Sequence, residues 1–175
     1  MEYGKDYNFK ANQTFLFDTN IWMFLFCPIG NYQDKKQQSV SKFFEKTLSA
    51  PQSQIVITGA IVSEFANAFL RLDWKLWQDE TKNFGNNFKS HFFQTERAKS
   101  TRITISNILM NKILPLSERY PDSFHSIDVD DVFRLYKSLD YNDAIFYNQC
   151  SQNNWIFVSD DSDFDELGAV ITIKP

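Results

Sequence analysis

The sequence predicts an α/β protein, a three-layer α/β/α sandwich around a central parallel sheet of four to five strands. Three observations carry this reading. Short apolar runs of the buried-strand type recur at Thr14-Phe15-Leu16-Phe17, Ile55-Val56-Ile57, Trp155-Ile156-Phe157-Val158 and Ala169-Val170-Ile171-Thr172-Ile173. Stretches with apolar residues at helical spacing lie between most of them. Strands that alternate with helices pair in parallel through right-handed crossovers, so helices come to cover both faces of the sheet.

Each element has its own signal. Residues 1–13 are polar and are expected to form a loosely anchored arm. The first strand, at about 14–17, ends abruptly in Asp18-Thr19-Asn20. Ile21 to Phe26 then begin a helix or tight apolar turn, which Pro28 and Gly30 interrupt. Val40, Phe43, Phe44 and Leu48 mark a helix over about 34–48, closed by Pro51. After the strand at 55–57, Thr58 is placed to cap the clearest helix of the chain. Its apolar stripe is Ile61, Phe65, Ala68, Phe69, Leu72 and Leu76, and Glu64 lies beside that stripe one turn in.

Asn83 to Asn87 break the pattern, and a further helix is expected over about 90–112, carrying Ile103, Ile105, Ile108 and Leu109. Residues 114–127, with Pro115 and Pro121, read as a long connection with room for a short strand. Val132, Leu135, Tyr136 and Leu139 mark another helix. The next opens at Asn142-Asp143, with Asn142 or Asp140 as its cap, and runs to about 149. No linker, repeat or low-complexity tract interrupts the chain. Residues 1–175 are therefore read as one domain, with a helical, basic and aromatic insertion at about 73–112.

An apolar share of 43%, with 18 Phe, 7 Tyr and 4 Trp in 175 residues, supplies a substantial core and argues against disorder. No apolar run approaches the roughly 20 residues that span a bilayer, and the N-terminus lacks the basic start and apolar stretch of a signal peptide. Cys27 and Cys150 lack metal-type spacing and read as reduced thiols, so the expectation is a cytoplasmic protein with no membrane partner. Net charge is −4, but it is uneven. Residues 71–112 hold 8 basic and 4 acidic side chains, whereas residues 113–175 hold 4 and 12. An acidic protein can still carry a basic face.

Five acids stand at the edges of buried elements: Asp18, Glu64, Asp143, Asp161 and Asp163. In open α/β sheets, ligands bind outside the carboxyl ends of the strands, where Asp18 and the run Ser159-Asp160-Asp161-Ser162-Asp163 both fall. An anionic pocket of this kind is stable only when something cationic fills it. Oxygen ligands suit Mg²⁺ or Mn²⁺, and two such ions could activate a water and stabilise the leaving oxygen of a phosphodiester. The two histidines, His91 and His125, stand in no catalytic pattern. No nucleophile elbow, phosphate loop or dinucleotide fingerprint is present.

Asp18-Thr19-Asn20 after the first strand, Glu64 early in the helix after the second, Asn142-Asp143-Ala144 and Ser159-Asp160-Asp161-Ser162-Asp163-Phe164 together resemble the PIN domain. Members of that family are typically metal-dependent ribonucleases and include VapC-type toxins of toxin–antitoxin pairs. The resemblance implies that Asp18, Glu64, Asp143 and Asp161 are catalytic metal ligands, with Asp163 an auxiliary ligand and Asn20 and Ser159 orienting the first and last acids. It also implies RNA as substrate, a cognate antitoxin and a homodimer. Asp160 is an additional acid that blurs which aspartate touches metal.

Within the insertion, Trp74, Lys75, Lys82, Lys89 and Arg97 mix rings and cations as a surface for single-stranded RNA would; alternatively, the rings fill a helical clip or a dimer contact. The leading reading is a metal-dependent endoribonuclease cutting single-stranded RNA. One alternative is a non-catalytic PIN-like binding module. Another is a haloacid-dehalogenase-type phosphatase, although that chemistry needs a second aspartate where this chain has Asn20.

Overall fold

In a computed structural model describing residues 2–4, 6–32, 34–122, 124–164, 167 and 170–173, the apolar runs pair as one parallel sheet. In chain order the elements are β1 (Glu2–Tyr3), β2 (Thr14–Phe17), α1 (Thr19–Phe26), α2 (Asp34–Ser49), β3 (Gln54–Ile57), α3 (Gly59–Thr81), α4 (Glu96–Ile108), β4 (Glu118–Arg119), α5 (Val129–Leu135), α6 (Tyr141–Asn153), β5 (Ile156–Ser159) and β6 (Val170–Thr172). The sheet order is β1-β6-β5-β2-β3-β4, and every pair is parallel. The four strands expected from the apolar runs form its centre, and a two-residue strand is added at each edge. One of these, β4, occupies the connection over 114–127.

The other edge strand corrects the expectation of a loose N-terminal arm. Glu2 and Tyr3 pair with Ile171 and Thr172, and Gly4 N–H donates to the Thr172 carbonyl at 3.1 Å. Polar composition hid this, because an edge strand two residues long needs no apolar alternation. Behind it, Tyr7 and Phe9 pack on Phe15 and Phe43 with ring centroids 5.0 to 6.1 Å apart.

Alternation along β2 sets the layers. Phe15 and Phe17 face α2, where they meet Phe43 and Phe44. Leu16 lies in register with Phe157 of β5, which faces the opposite layer and packs on Phe146 of α6 at 6.3 Å. All of these side chains are buried. Both faces of the sheet are thus covered, as an all-parallel sheet requires. No helix among the described residues is long and apolar enough to cross a membrane.

Local chemistry explains most boundaries. The Thr58 hydroxyl accepts from Ile61 N–H at 3.4 Å, and the Asp122 carboxylate accepts from Ala60 N–H at 2.9 Å, so two side chains satisfy the start of α3. Gly59 admits that carboxylate, because a Cβ there would stand 2.9 Å from Asp122 Oδ2. The ends of α3 and α6 are left-handed residues, Lys82 (φ 54°) and Asn154 (φ 55°). Asp140, rather than Asn142, caps α6 by accepting from Asp143 N–H at 3.0 Å. Ala169, expected to open the last strand, and Asp165 lie outside the described residues.

The segment read as an insertion folds on itself. The helix expected over about 90–112 begins later, at Glu96, after a single wide turn over Phe88–Phe92. Asp73 on α3 is 4% exposed and accepts from Arg97 Nε at 2.8 Å and from the Thr101 hydroxyl at 2.6 Å. Arg97 also pairs with Glu80. Trp77 packs on Phe92 and Trp74 on Phe88, with centroids 5.6 and 5.3 Å apart.

Phe43 is 3% exposed and joins Tyr7, Phe9, Phe15 and Phe17. Its replacement by alanine is expected to destabilise the protein by about 3–5 kcal/mol, measured by urea unfolding. A loss below about 1 kcal/mol would show that this aromatic cluster is not a closely packed core.

Candidate active site

Successive strands run outward from β2 through β3 to β4, then return on its other side as β5 and β6. The order in which strands are added therefore reverses between β2 and β5, and the crevice beyond the carboxyl ends of these two parallel strands is where such sheets place ligands. A cavity of about 370 Å³ opens there. Asp18, Glu64, Asp143 and Asp161 all line it, brought from four separate elements.

Asp18 sits at the corner between β2 and α1, only 6% exposed. Its N–H continues the strand pairing by donating to the Val158 carbonyl at 2.9 Å. Ser159, at the end of β5, donates its hydroxyl to Asp18 Oδ2 at 2.7 Å and accepts from Asp161 N–H at 3.1 Å. One serine therefore ties the first acid to the loop that carries the last. Glu64 is gripped at both oxygens: Thr19 donates to Oε2 at 2.8 Å and Asn142 to Oε1 at 2.6 Å. Asp143 approaches from the first turn of α6.

Among the described residues, five carboxylates and one guanidinium line the cavity, the additional members being Asp140 and Arg71. Burial pushes Asp18 from an ordinary 3.8 to about 7; the Ser159 hydrogen bond opposes this, and the charges of Asp160 and Glu64 add to it. Asp143 is pushed to about 8, first by burial and then by Asp18, Asp140, Glu64 and Asp161. Among the described residues no three acids are already drawn together as a metal-ligand cluster. An all-oxygen donor set spread round an open cavity nevertheless suits a hard divalent ion, which retains several waters and contacts few carboxylates directly. The raised pKa values point the same way, since the crevice penalises its own anions without a cation.

Other expected residues are placed differently from the four acids. Asp163 is exposed on the short turn after β5 and does not line the cavity; its N–H, not its carboxylate, contributes, by donating to Asp161 Oδ1 at 2.9 Å. Asn20 lines the cavity, but the hydrogen bond that orients Asp18 comes from Ser159. Asp160 turns away from Asp161 to form an ion pair with Lys36. In the insertion, Arg97 is committed to Asp73 and Glu80, and Trp74 is half-buried against Phe88. Lys75, Lys82 and Lys89 are exposed. The residues that sequence reasoning missed are Thr19 and Asn142 as clamps on Glu64, and Arg71. The signal for Arg71 was its place seven residues after Glu64, two turns along the same helix face.

Residues 15–170 match the sequence model of the PIN domain. Among solved structures, the chain is similar to FitAcB from Neisseria gonorrhoeae, at 12% identity and TM-score 0.56, covering 92% of this chain and 97% of that one. VapBC2 from Rickettsia felis bound to a DNA fragment from their promoter gives 12% identity and TM-score 0.54, with 91% and 97% covered. At these identities the likeness concerns the fold. Comparison with curated proteins finds no match.

An acid whose folded-state pKa lies above its unfolded value binds its proton more tightly when folded. Stability must then fall as pH rises from the unfolded value towards the folded one. For Asp18 and Asp143 that window runs from 3.8 to about 8. In EDTA, the melting temperature is expected to drop by several degrees between pH 5 and pH 8, and millimolar Mg²⁺ or Mn²⁺ is expected to restore it at the upper end. A melting temperature that is flat across this range in EDTA would contradict the electrostatics described here.

Proposed function

This chain belongs to the PIN domain family, and on that premise we propose that it is a divalent-metal-dependent endoribonuclease. Its proposed substrate is single-stranded RNA and its proposed setting a toxin–antitoxin pair. Members of the family are generally nucleases. The observation that carries the reading is the convergence of four acids from separate elements on the switch-point crevice, where burial, and then mutual repulsion, disfavours their charged forms unless a cation is present.

In this reading Asp18 and Asp143 hold the principal ion, Mg²⁺ or Mn²⁺, with Glu64 and Asp161 completing the site. When bound, the ion supplies Lewis acidity towards a phosphoryl oxygen and makes water a better nucleophile at neutral pH. The chain's own side chains do the positioning. Ser159 holds Asp18 in one orientation and anchors the backbone that carries Asp161. Thr19 and Asn142 occupy one side of both Glu64 oxygens and fix the plane of that carboxylate. Packed aromatic residues behind β2 and β5 give these groups a rigid base.

An antitoxin as partner follows from the VapC-type resemblance of the motifs, and VapBC2 is one of the structures this fold is similar to. The exposed Lys75, Lys82 and Lys89 supply diffuse positive charge along the insertion, which suits non-specific attraction of a nucleic-acid backbone.

Asp18→Asn is the direct test. Cleavage of single-stranded RNA in Mn²⁺ is expected to fall by more than about 100-fold. The melting temperature in EDTA at pH 8 is expected to hold or rise, because the substitution removes a buried and repelled charge. Full cleavage by this variant in excess Mg²⁺ or Mn²⁺ would overturn the reading.

A further inference from the structure

Arg71 is the only cation among the described residues that lines the acid cavity. It stands on α3 seven residues beyond Glu64, roughly 10 Å along the helix axis. Its guanidinium lies over the Phe88 ring at 4.3 Å from the centroid and within 5.6 Å of the Trp74 ring. Those rings are fixed in turn, since they pack edge to face at 5.3 Å and Phe88 also packs on the fully buried Phe92. The arrangement differs from those of the neighbouring arginines. Arg97 is committed to Asp73 and Glu80, and Arg102, stacked on Phe93 at 4.1 Å, donates to the Phe93 carbonyl. Arg71 makes no ion pair among the described residues, although five carboxylates share its cavity.

We propose that Arg71 is a substrate-positioning residue that grips a phosphate of a single-stranded nucleic acid flanking the one at the acids. This rests on the nuclease reading and names how that site receives its substrate. Stacking occupies the faces of a guanidinium and leaves its five N–H donors free in the plane, where they match phosphate oxygens in a fork. Holding the group on two rings removes most of the ordering cost of that contact. The geometry also answers an electrostatic difficulty. A polyanion approaching five carboxylates is repelled, and one fixed cation on the cavity wall gives its backbone a place to dock. The offset along α3 puts this contact beside the acids rather than among them, hence a flanking phosphate.

The test measures binding and cleavage together on the full chain. Binding of a fluorescently labelled single-stranded oligonucleotide is read by anisotropy across a salt series, on the Asp18→Asn background with Mg²⁺ present. Arg71→Met keeps an apolar stem over Phe88 and removes only the charge. It is expected to weaken binding roughly tenfold and to lessen the slope of log affinity against log salt by about 0.7, the value of one phosphate contact to a single strand. Arg71→Lys is expected to keep the slope while losing part of the affinity. Packing alone would leave the slope of Arg71→Met unchanged, and that result overturns the proposal while wild-type cleavage keeps the nuclease reading standing. If the Asp18→Asn background binds too weakly to measure but wild type cleaves, the KM of Arg71→Met decides: a rise supports the contact and an unchanged value overturns it. Absence of both binding and wild-type cleavage overturns the proposal together with the reading it rests on.

Discussion

Burial of carboxylates that also face one another, at positions set by the sheet, is the constraint behind this structure. Asp18 is buried at the corner between a central strand and the following helix, and its N–H is tied to the Val158 carbonyl of the neighbouring strand. Glu64, Asp143 and Asp161 arrive from elements whose positions are set by the same sheet. Ser159 holds the Asp18 carboxylate, and Thr19 and Asn142 hold that of Glu64. The protein therefore holds a local electrostatic cost that only a cation, or protons, can relieve. Local cost offset by stability elsewhere is the usual sign of a working site.

The offset lies directly behind the acids. Phe15, Phe17, Trp22, Phe43 and Phe44 fill one layer, and Phe146, Phe157 and Phe164 the other. These large rigid side chains bury apolar area at little cost in side-chain entropy. They also explain how the crevice keeps its shape: Asp18 and Ser159 each directly follow, or end, a run of buried strand residues. Displacing either acid-bearing corner would pull a phenylalanine out of register.

The helical segment after Glu64 belongs to the same logic. Its buried Asp73 would be expensive alone, and Arg97 and Thr101 satisfy it, locking α3 against α4. With that pair fixed, Trp74 and Phe88 become a firm ledge beside the cavity. Of the residues that suggest a nucleic-acid surface in the sequence, Trp74 belongs to that ledge and Arg97 to the pair that fixes it, whereas Lys75, Lys82 and Lys89 are exposed. The side chain it presents to the cavity is Arg71.

Much of this was legible in one dimension. Apolar runs located the four central strands, helical periodicity located α2, α3 and α5, and Asp18, Glu64, Asp143 and Asp161 stood out because each interrupts or flanks a buried pattern. Ser159 was singled out by the family resemblance alone, as a residue that orients the acids. What the sequence pattern could not state was which acids meet, since proximity across 18 to 143 positions depends on strand order and not on spacing. The fold separated Asp161, in the cavity, from Asp160, paired with Lys36, in the loop just beyond β5, where strand alternation has ended. It also exposed Asp163 and brought Thr19 and Asn142 onto Glu64. Periodicity is a property of a segment and can be read from it; a constellation is a property of the sheet's topology, and only the folded chain decides it.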